Sequence, residues 1–270
     1  MSVVLLVRHA HATFGLGSYD KLSDQGRAQA RQLASVLADR GVPVERIVCG
    51  SLQRQRDTAE ILATALGDRP IVVDPRWNEY DYMPLIASVK PMYRRHWLMV
   101  ADLARTGNPN RRLQEIIDRA LAKWVADALT PDEFDSPEDE ARADAPAVVD
   151  PVSGAVLHRP LDGRHELDLP ADSSAVHMES FVQYSERVGG ALDDVSLQSG
   201  LTVVVSSAGT IAAAAAPLLG VPADGWPALQ RVMVNTSVTK VVRGQRGITL
   251  VTLNEHGHLE GALGVKITYR

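Results

Sequence analysis

Three short apolar runs separated by two helical stripes fill the first 75 residues, and that alternation constrains the fold more than any other feature. The runs are VVLLV (3–7), VERIVCG (44–50) and PIVVDP (70–75). The first shows no polar alternation, which is how a strand covered on both faces reads. Between the first two, LSDQGRAQARQLASVLADRG places Leu33, Val36 and Leu37 on one stripe behind an N-cap candidate, Ser23, and stops near Gly41. The next stripe, LQRQRDTAEILATALG, closes at Gly67. Strand–helix–strand–helix–strand predicts an α/β fold: three layers, with a mostly parallel sheet flanked by helices.

The pattern resumes late. LTVVVSS (201–207) is another buried-strand run, and GTIAAAAAPLLG is its helix. NTSVTKVVRG and ITLVTLNEHGHLE read as two strands joined around Arg246-Gly247, a hairpin at one side of the sheet. Between these halves, residues 85–129 have helical periodicity, and SAVHMESFVQYSERVGGALDDV is a further helix. Residues 130–173, rich in Pro, Asp and Ala, read as irregular. No repeat or linker divides the chain. Residues 1–270 therefore read as one domain, with an insertion at about 82–180 lying over the carboxyl ends of the strands.

Composition narrows the function classes. With 45% hydrophobic and 23% charged residues the chain is ordinary for a soluble globular protein. A net charge of -5 argues against broad phosphate neutralisation, hence against a nucleic-acid partner, but allows a small basic pocket. The single cysteine, Cys49, forms no intramolecular disulfide and suits a reducing compartment. The start lacks a basic region, and the longest later apolar stretch, IAAAAAPLLGV, has 11 residues. A membrane span needs about 20. The expectation is a cytoplasmic protein without a membrane partner.

Ligands of open parallel sheets bind beyond the carboxyl ends of the strands. There the chain places Arg8 and His9 after the first run, Ser51 and Arg54 after the second, and Asn78, Glu79 and Asp81 after the third. Ser206, Ser207, Gly209 and Thr210 follow the fourth. Two arginines, a histidine and two helix starts favour an anion, and forked guanidinium bonds favour phosphate. A neutral imidazole beside a bound phosphomonoester can attack phosphorus, and flanking arginine charge disfavours the imidazolium. Glu79 can protonate the leaving oxygen and then activate water, with Asp81 as its competitor for that role. The scheme requires no metal and no cofactor.

Each residue also has a plainer reading. His9 can be a core histidine, and Arg8 and Arg54 can pair with surface acids. Glu79 or Asp81 can cap a turn, and Ser207 can cap the following helix. Arg56, two residues beyond Arg54, faces elsewhere on the helix. His9-x-His11 and His256-x-His258 have metal-compatible spacing in a strand, but no further ligand cluster accompanies them. His11, His256 and His258 are instead candidates for the rim, or for replacing a missing charge. The Arg94-Arg95-His96 cluster reads chiefly as a solvated helix face. Gly-x-Ser-x-Gly, Walker and dinucleotide patterns are absent.

These residues together resemble the histidine phosphatase superfamily, with its phosphoglycerate-mutase-like fold. Arg8-His9-Ala10 resembles the family's Arg-His-Gly, and LSDQGRAQA (22–30) resembles its Leu-Thr/Ser-x-x-Gly-x-x-Gln-Ala segment. GSLQRQRDTA aligns Leu52, Arg54, Thr58 and Ala59, with Gly50 and Asp57 where the family has Ser and Gln. WNEY places the family's acid at Glu79. The departure is VSSAG, where the family has Val-Ser-His-Gly-Gly, so Ser207 stands in the distal histidine's place. The resemblance implies a phosphatase acting on a small phosphomonoester. In that reading His9 is the nucleophile, Glu79 the acid, and Arg8, Arg54 and Ser207 the phosphate ligands. Two other outcomes remain open: a phosphate-binding or regulatory protein without turnover, and a mutase, which would have to shield its phosphoenzyme from water. The expected partner is a small phosphorylated molecule, and a homodimer is left open.

Overall fold

The computed structural model describes residues 2–13, 20–129, 178–261 and 264–269. A six-stranded sheet runs β3-β2-β4-β1-β5-β6. Its strands are β1 (Ser2–Arg8), β2 (Val44–Cys49), β3 (Ile71–Val73), β4 (Gly200–Ser206), β5 (Val238–Gly244) and β6 (Gly247–Glu255). The first four are mutually parallel; β5 is antiparallel to β1, and β6 to β5. The expected hairpin is thus present at the sheet's edge, turning through Gln245-Arg246, and Gly247 (φ 103°) supplies the left-handed backbone there.

The central strands are apolar on both sides because helices cover both faces. On one side, Val4, Leu6 and Val204 pack with Trp77, Ile86, Tyr184, Val188, Ile211 and Trp226. On the other, Leu5, Val7, Val203 and Val205 pack against Leu33, Leu37, Ala59 and Leu62 of helices α1 (Asp24–Asp39) and α2 (Gln53–Ala65). Full burial of each such side chain contributes about 1.5–3 kcal/mol. The apolar run at 70–75 behaves differently: β3 pairs only with β2, and Ile71, Val72 and Val73 are all exposed. An apolar run does not by itself report whether its strand lies at the centre or the edge.

The first covered face is built by α3 (Tyr82–Val89), α4 (His96–Ala104), α5 (Pro109–Leu129), α6 (Phe181–Leu197), α7 (Ala208–Ala215) and α8 (Trp226–Val232). The helical reading of 85–129 holds, broken by a short 3₁₀ turn at Pro91–Arg94. Ser180 opens α6 with a capping box: its hydroxyl accepts from Gln183 N–H while the Gln183 side chain accepts from Ser180 N–H. Tyr80, Trp124, Phe181, Tyr184 and Trp226 meet edge-on or tilted, at centroid distances of 5.2 to 6.5 Å, and bind α5, α6 and α8 together. The irregular reading of 130–173 lies outside the described residues. Among the described residues no helix is long and apolar enough to cross a membrane.

Ser23 caps α1 as expected, its hydroxyl accepting from Gly26 N–H at 3.0 Å. Gly26 has a second role. A Cβ there would sit 2.0 Å from the backbone oxygen of His11, which no side-chain rotation can relieve. Gly26→Ala is therefore expected to destabilise the chain by about 1–3 kcal/mol, the range for overpacking. Urea unfolding of the two proteins checks this; equal midpoints would show that α1 shifts away at no cost.

Candidate active site

Strand β1 carries Arg8 and His9 to the centre of the sheet's carboxyl edge. His9 N–H donates to Ser206 O at 2.8 Å, Arg8 N–H to Ser237 O at 3.1 Å, and Asn235 Nδ2 to His9 O at 2.9 Å. The imidazole lies between two partners of opposite character. Nδ1 is 2.8 Å from the carbonyl of Ala10, which can only accept, so Nδ1 carries the proton. Arg54 Nε–H donates to Nε2 at 3.0 Å, so Nε2 presents its lone pair. His9 as a whole is 8% exposed. Burial, then the Arg54 charge, then the Arg8 charge hold the His9 pKa well below the ordinary imidazole value.

The two arginines are held differently. Arg54, the second residue of α2, also donates from Nη1 to Asp20 at 2.6 Å. Arg8 is buried, and its Nη1 donates to the carbonyls of Met233 and of Tyr269, the latter at 2.8 Å. The C-terminal strand of chain closes over this point. Asn235 N–H donates to Thr268 O at 2.9 Å, and Gln29 Nε2 donates to Lys266 O and Thr268 Oγ1, each at 2.8 Å. Thr58 links α2 to β1 by accepting from Ala10 N–H at 3.1 Å and donating to Arg54 O at 2.7 Å.

Glu79 sits at the start of α7. Its Oε2 accepts from Gly209 N–H and its Oε1 from Tyr184 Oη, both at 2.9 Å. Thr210 lies 3.1 Å from the same phenol and donates to Asn78 O at 3.0 Å. Burial, followed by the Glu79 charge, pushes the Tyr184 phenol well up, so it acts as a donor. Arg187 stacks over Tyr184, pairs with Glu179 at 2.7 Å, and donates to the carbonyls of Arg76 and Asn78 on either side of Trp77.

Ser207 is buried, and its hydroxyl accepts from Gln55 Nε2 at 2.9 Å rather than capping α7. Gln55 also explains Gly50: a Cβ at that position would sit 2.1 Å from Gln55 Oε1. Asp81 takes the plainer of its readings, its Oδ1 accepting from Met83 N–H at 3.0 Å as the cap of α3. His11 Nδ1 is 2.8 Å from Ser23 Oγ. His256 Nδ1 donates to Asn254 O at 2.7 Å. His258 Nε2 is 3.1 Å from Thr236 Oγ1, and burial pushes its pKa down to about 4, helped by His256 and Arg40. The structure thus joins His9 with Arg54, and Glu79 with the start of α7, and gives the three rim histidines partners of their own. Among the described residues no group of three or more His, Cys, Asp or Glu is gathered as a metal would need.

Sequence reading missed Asp20, Gln55, Thr58's linking role, Tyr184 and Asn235. Thr58 and Gln55 both lie in the GSLQRQRDTA segment, but only Thr58 was among its aligned positions.

Because its partners disfavour the charged ring, His9 is expected to stay neutral as pH falls through 6.5, where an ordinary histidine takes up a proton. The unfolded chain does bind that proton. This part of the stability is therefore complete above about pH 6.5 and is lost progressively as pH falls further. Ring resonances of His9, assigned with the His9→Ala chain, check this; a titration centred at 6.5 would contradict the geometry.

The comparisons with known proteins agree with the architecture. No curated protein sequence matches the chain. Among solved structures, YhfR from Bacillus stearothermophilus superposes with a TM-score of 0.58 at 16% identity, covering 96% of this chain and 100% of its own. A phosphoserine phosphatase mutant from Entamoeba histolytica, in complex with phosphoserine, gives 0.54 at 16%, covering 96% and 100%. A mycobacterial glucosyl-3-phosphoglycerate phosphatase gives 0.51 at 21%, covering 93% and 98%. At these identities the likeness shows the fold. The family itself is shown by the sequence model for the histidine phosphatase superfamily (branch 1), which matches residues 4–127 and 157–256: this chain belongs to that superfamily.

Proposed function

We propose that the chain is a phosphatase that hydrolyses a small phosphomonoester through a phosphohistidine at His9. The observation that carries this reading is the fixed tautomer of His9, with Nδ1–H on the Ala10 carbonyl and the Nε2 lone pair turned to Arg54. A nucleophile needs that lone pair, and a permanently charged guanidinium beside it is placed to receive phosphoryl oxygens in its stead.

In this scheme Nε2 attacks phosphorus in line and the phosphorus–oxygen bond to the alcohol breaks. The leaving alkoxide takes a proton. Glu79, with both oxygens engaged as acceptors, takes up the proton that a monoanionic substrate brings and passes it to that oxygen. It then receives a proton from water as the hydroxide frees the phosphoryl group, and His9 leaves neutral. A cavity of about 260 Å³ bordered by Glu79, Tyr80, Asp81, Leu85 and Trp124 is the proposed seat of the alcohol. Every step uses the chain's own groups. Activities on phosphoserine and on glucosyl-3-phosphoglycerate, named for the structural neighbours, support a phosphomonoester as substrate class.

A second reading is a phosphate-binding protein without turnover, and Ser207 favours it. By the family resemblance Ser207 takes the distal histidine's place, and its hydroxyl, buried and tied to Gln55, brings no charge. A panel of phosphomonoesters, assayed with and without chelator, separates the two readings. His9→Ala is expected to abolish turnover and acid-labile phosphate labelling, and Glu79→Gln to lower kcat by about 10²–10⁴. Phosphate binding without any label on His9 would establish the second reading.

Gly209 offers a finer check. A Cβ there would lie 2.4 Å from Glu79 Oε1 and 2.8 Å from Tyr80 Cε1. Gly209→Ala is expected to displace the carboxylate and lower kcat by about tenfold or more, with little change in phosphate affinity. An unchanged kcat would remove Glu79 from the proposed chemistry.

A further inference from the structure

Two residues ahead of the LSDQGRAQA segment, the carboxylate of Asp20 has a central position. One oxygen accepts from Arg54 Nη1 and the other from Gln53 N–H, the opening donor of α2, both at 2.6 Å. These are the donors an incoming phosphoryl group wants: a guanidinium edge and a helix N-terminal N–H. Leu52, the N-cap residue of α2, offers no side-chain bond, so Asp20 performs that task from elsewhere in the chain. The same Arg54 reaches His9 Nε2 through Nε, so the two anchors of Arg54 are the nucleophile and Asp20.

The placement is supported from behind. Thr13 N–H donates to Lys21 O at 2.9 Å, Ser23 N–H donates to His11 O at 3.0 Å, and Ala12 bridges Leu22. Leu22 is buried against Ala10 and Ala30. This small ladder begins at Lys21, the residue that follows Asp20. The Asp20 side chain is about one-third exposed and that of Arg54 much less, so the pair sits at the mouth of the site.

We propose that Asp20 is an internal counter-anion: it holds Arg54 against His9 at rest, and substrate phosphoryl oxygens replace it on Arg54 Nη1 and Gln53 N–H. Binding is then an exchange of one anion for another. The carboxylate opposes phosphate affinity, favours a phosphoryl group with several oxygens over weaker anions, and helps to expel inorganic phosphate when it returns. This inference rests on the phosphatase reading of the same site.

The test uses the full chain and inorganic phosphate, measured by calorimetry and as an inhibitor of 4-nitrophenyl phosphate hydrolysis. Asp20→Ala clears the seat, and Asp20→Asn keeps its shape without the charge. Both are expected to bind phosphate more tightly, the alanine variant by about tenfold, with KM falling in the same direction. Circular dichroism confirms that each variant folds. Unchanged or weaker phosphate binding in the two folded variants, with turnover retained, overturns the counter-anion role and leaves Asp20 as a buttress for Arg54. Absence of phosphate binding in every chain, with no label on His9, overturns both this inference and the phosphatase reading.

Discussion

The imidazole of His9 is held by one group that can only accept and one that can only donate, and the rest of the site depends on that pair. Ala10 O fixes the proton on Nδ1 and Arg54 Nε–H fixes the lone pair on Nε2. Neither partner can exchange roles, because a carbonyl has no proton to give and a guanidinium has no lone pair to offer. Burial adds to this by making the charged ring costly. Permanent positive charge therefore stands beside a ring that stays neutral. On the proposed reading, that separation lets one small site attract an anion and still attack it.

Such a site needs a rigid base. β1 lies between β4 and β5, paired along its whole length on one side and nearly so on the other, and its side chains alternate between two apolar cores. Arg8 and His9 thus leave the sheet where the backbone has least freedom. The next shell comes from distant parts of the chain. Asn235 holds His9 O, Thr236 N–H donates to Arg8 O at 3.0 Å, and the carbonyl of Tyr269 receives Arg8 Nη1. Thr236 adopts φ 61°, a strained conformation for a β-branched residue, which persists because its neighbours determine its place.

What the sequence made legible were features written locally. Unalternated apolar runs marked β1 and β4, the Ser23 cap marked the start of α1, and the order of polar residues after each strand pointed to His9, Arg54 and Glu79. What it hid was made by tertiary contact. Tyr184 sits in a stripe that read only as helix, and its bond to Glu79 crosses 105 positions; the bond from Asn235 to His9 crosses 226. The histidines at 256 and 258 shared a spacing that suggested one task, but they turn to different partners, Asn254 and Thr236. Spacing alone states which side chains can share a face, and the neighbouring elements decide what each one meets.

The distribution of charge around the site is one-sided. Arg54 and Arg8 supply the positive charge from α2 and β1, while the other helix start gives its Gly209 N–H to Glu79. The positive end of α7 thus orients a carboxylate. With the tyrosine phenol and Tyr80 N–H on the second oxygen, that carboxylate has three fixed donors and little rotational freedom. On the proposed reading this divides the labour: the β1–α2 side binds and stabilises the phosphoryl group, and the α7 side manages the proton. Ser207, lying between these halves and bonded to Gln55 of α2, then acts chiefly by keeping α7 and α2 in register. A histidine at that position would add charge to the phosphoryl side, but it would also have to displace the glutamine that now joins the two helices.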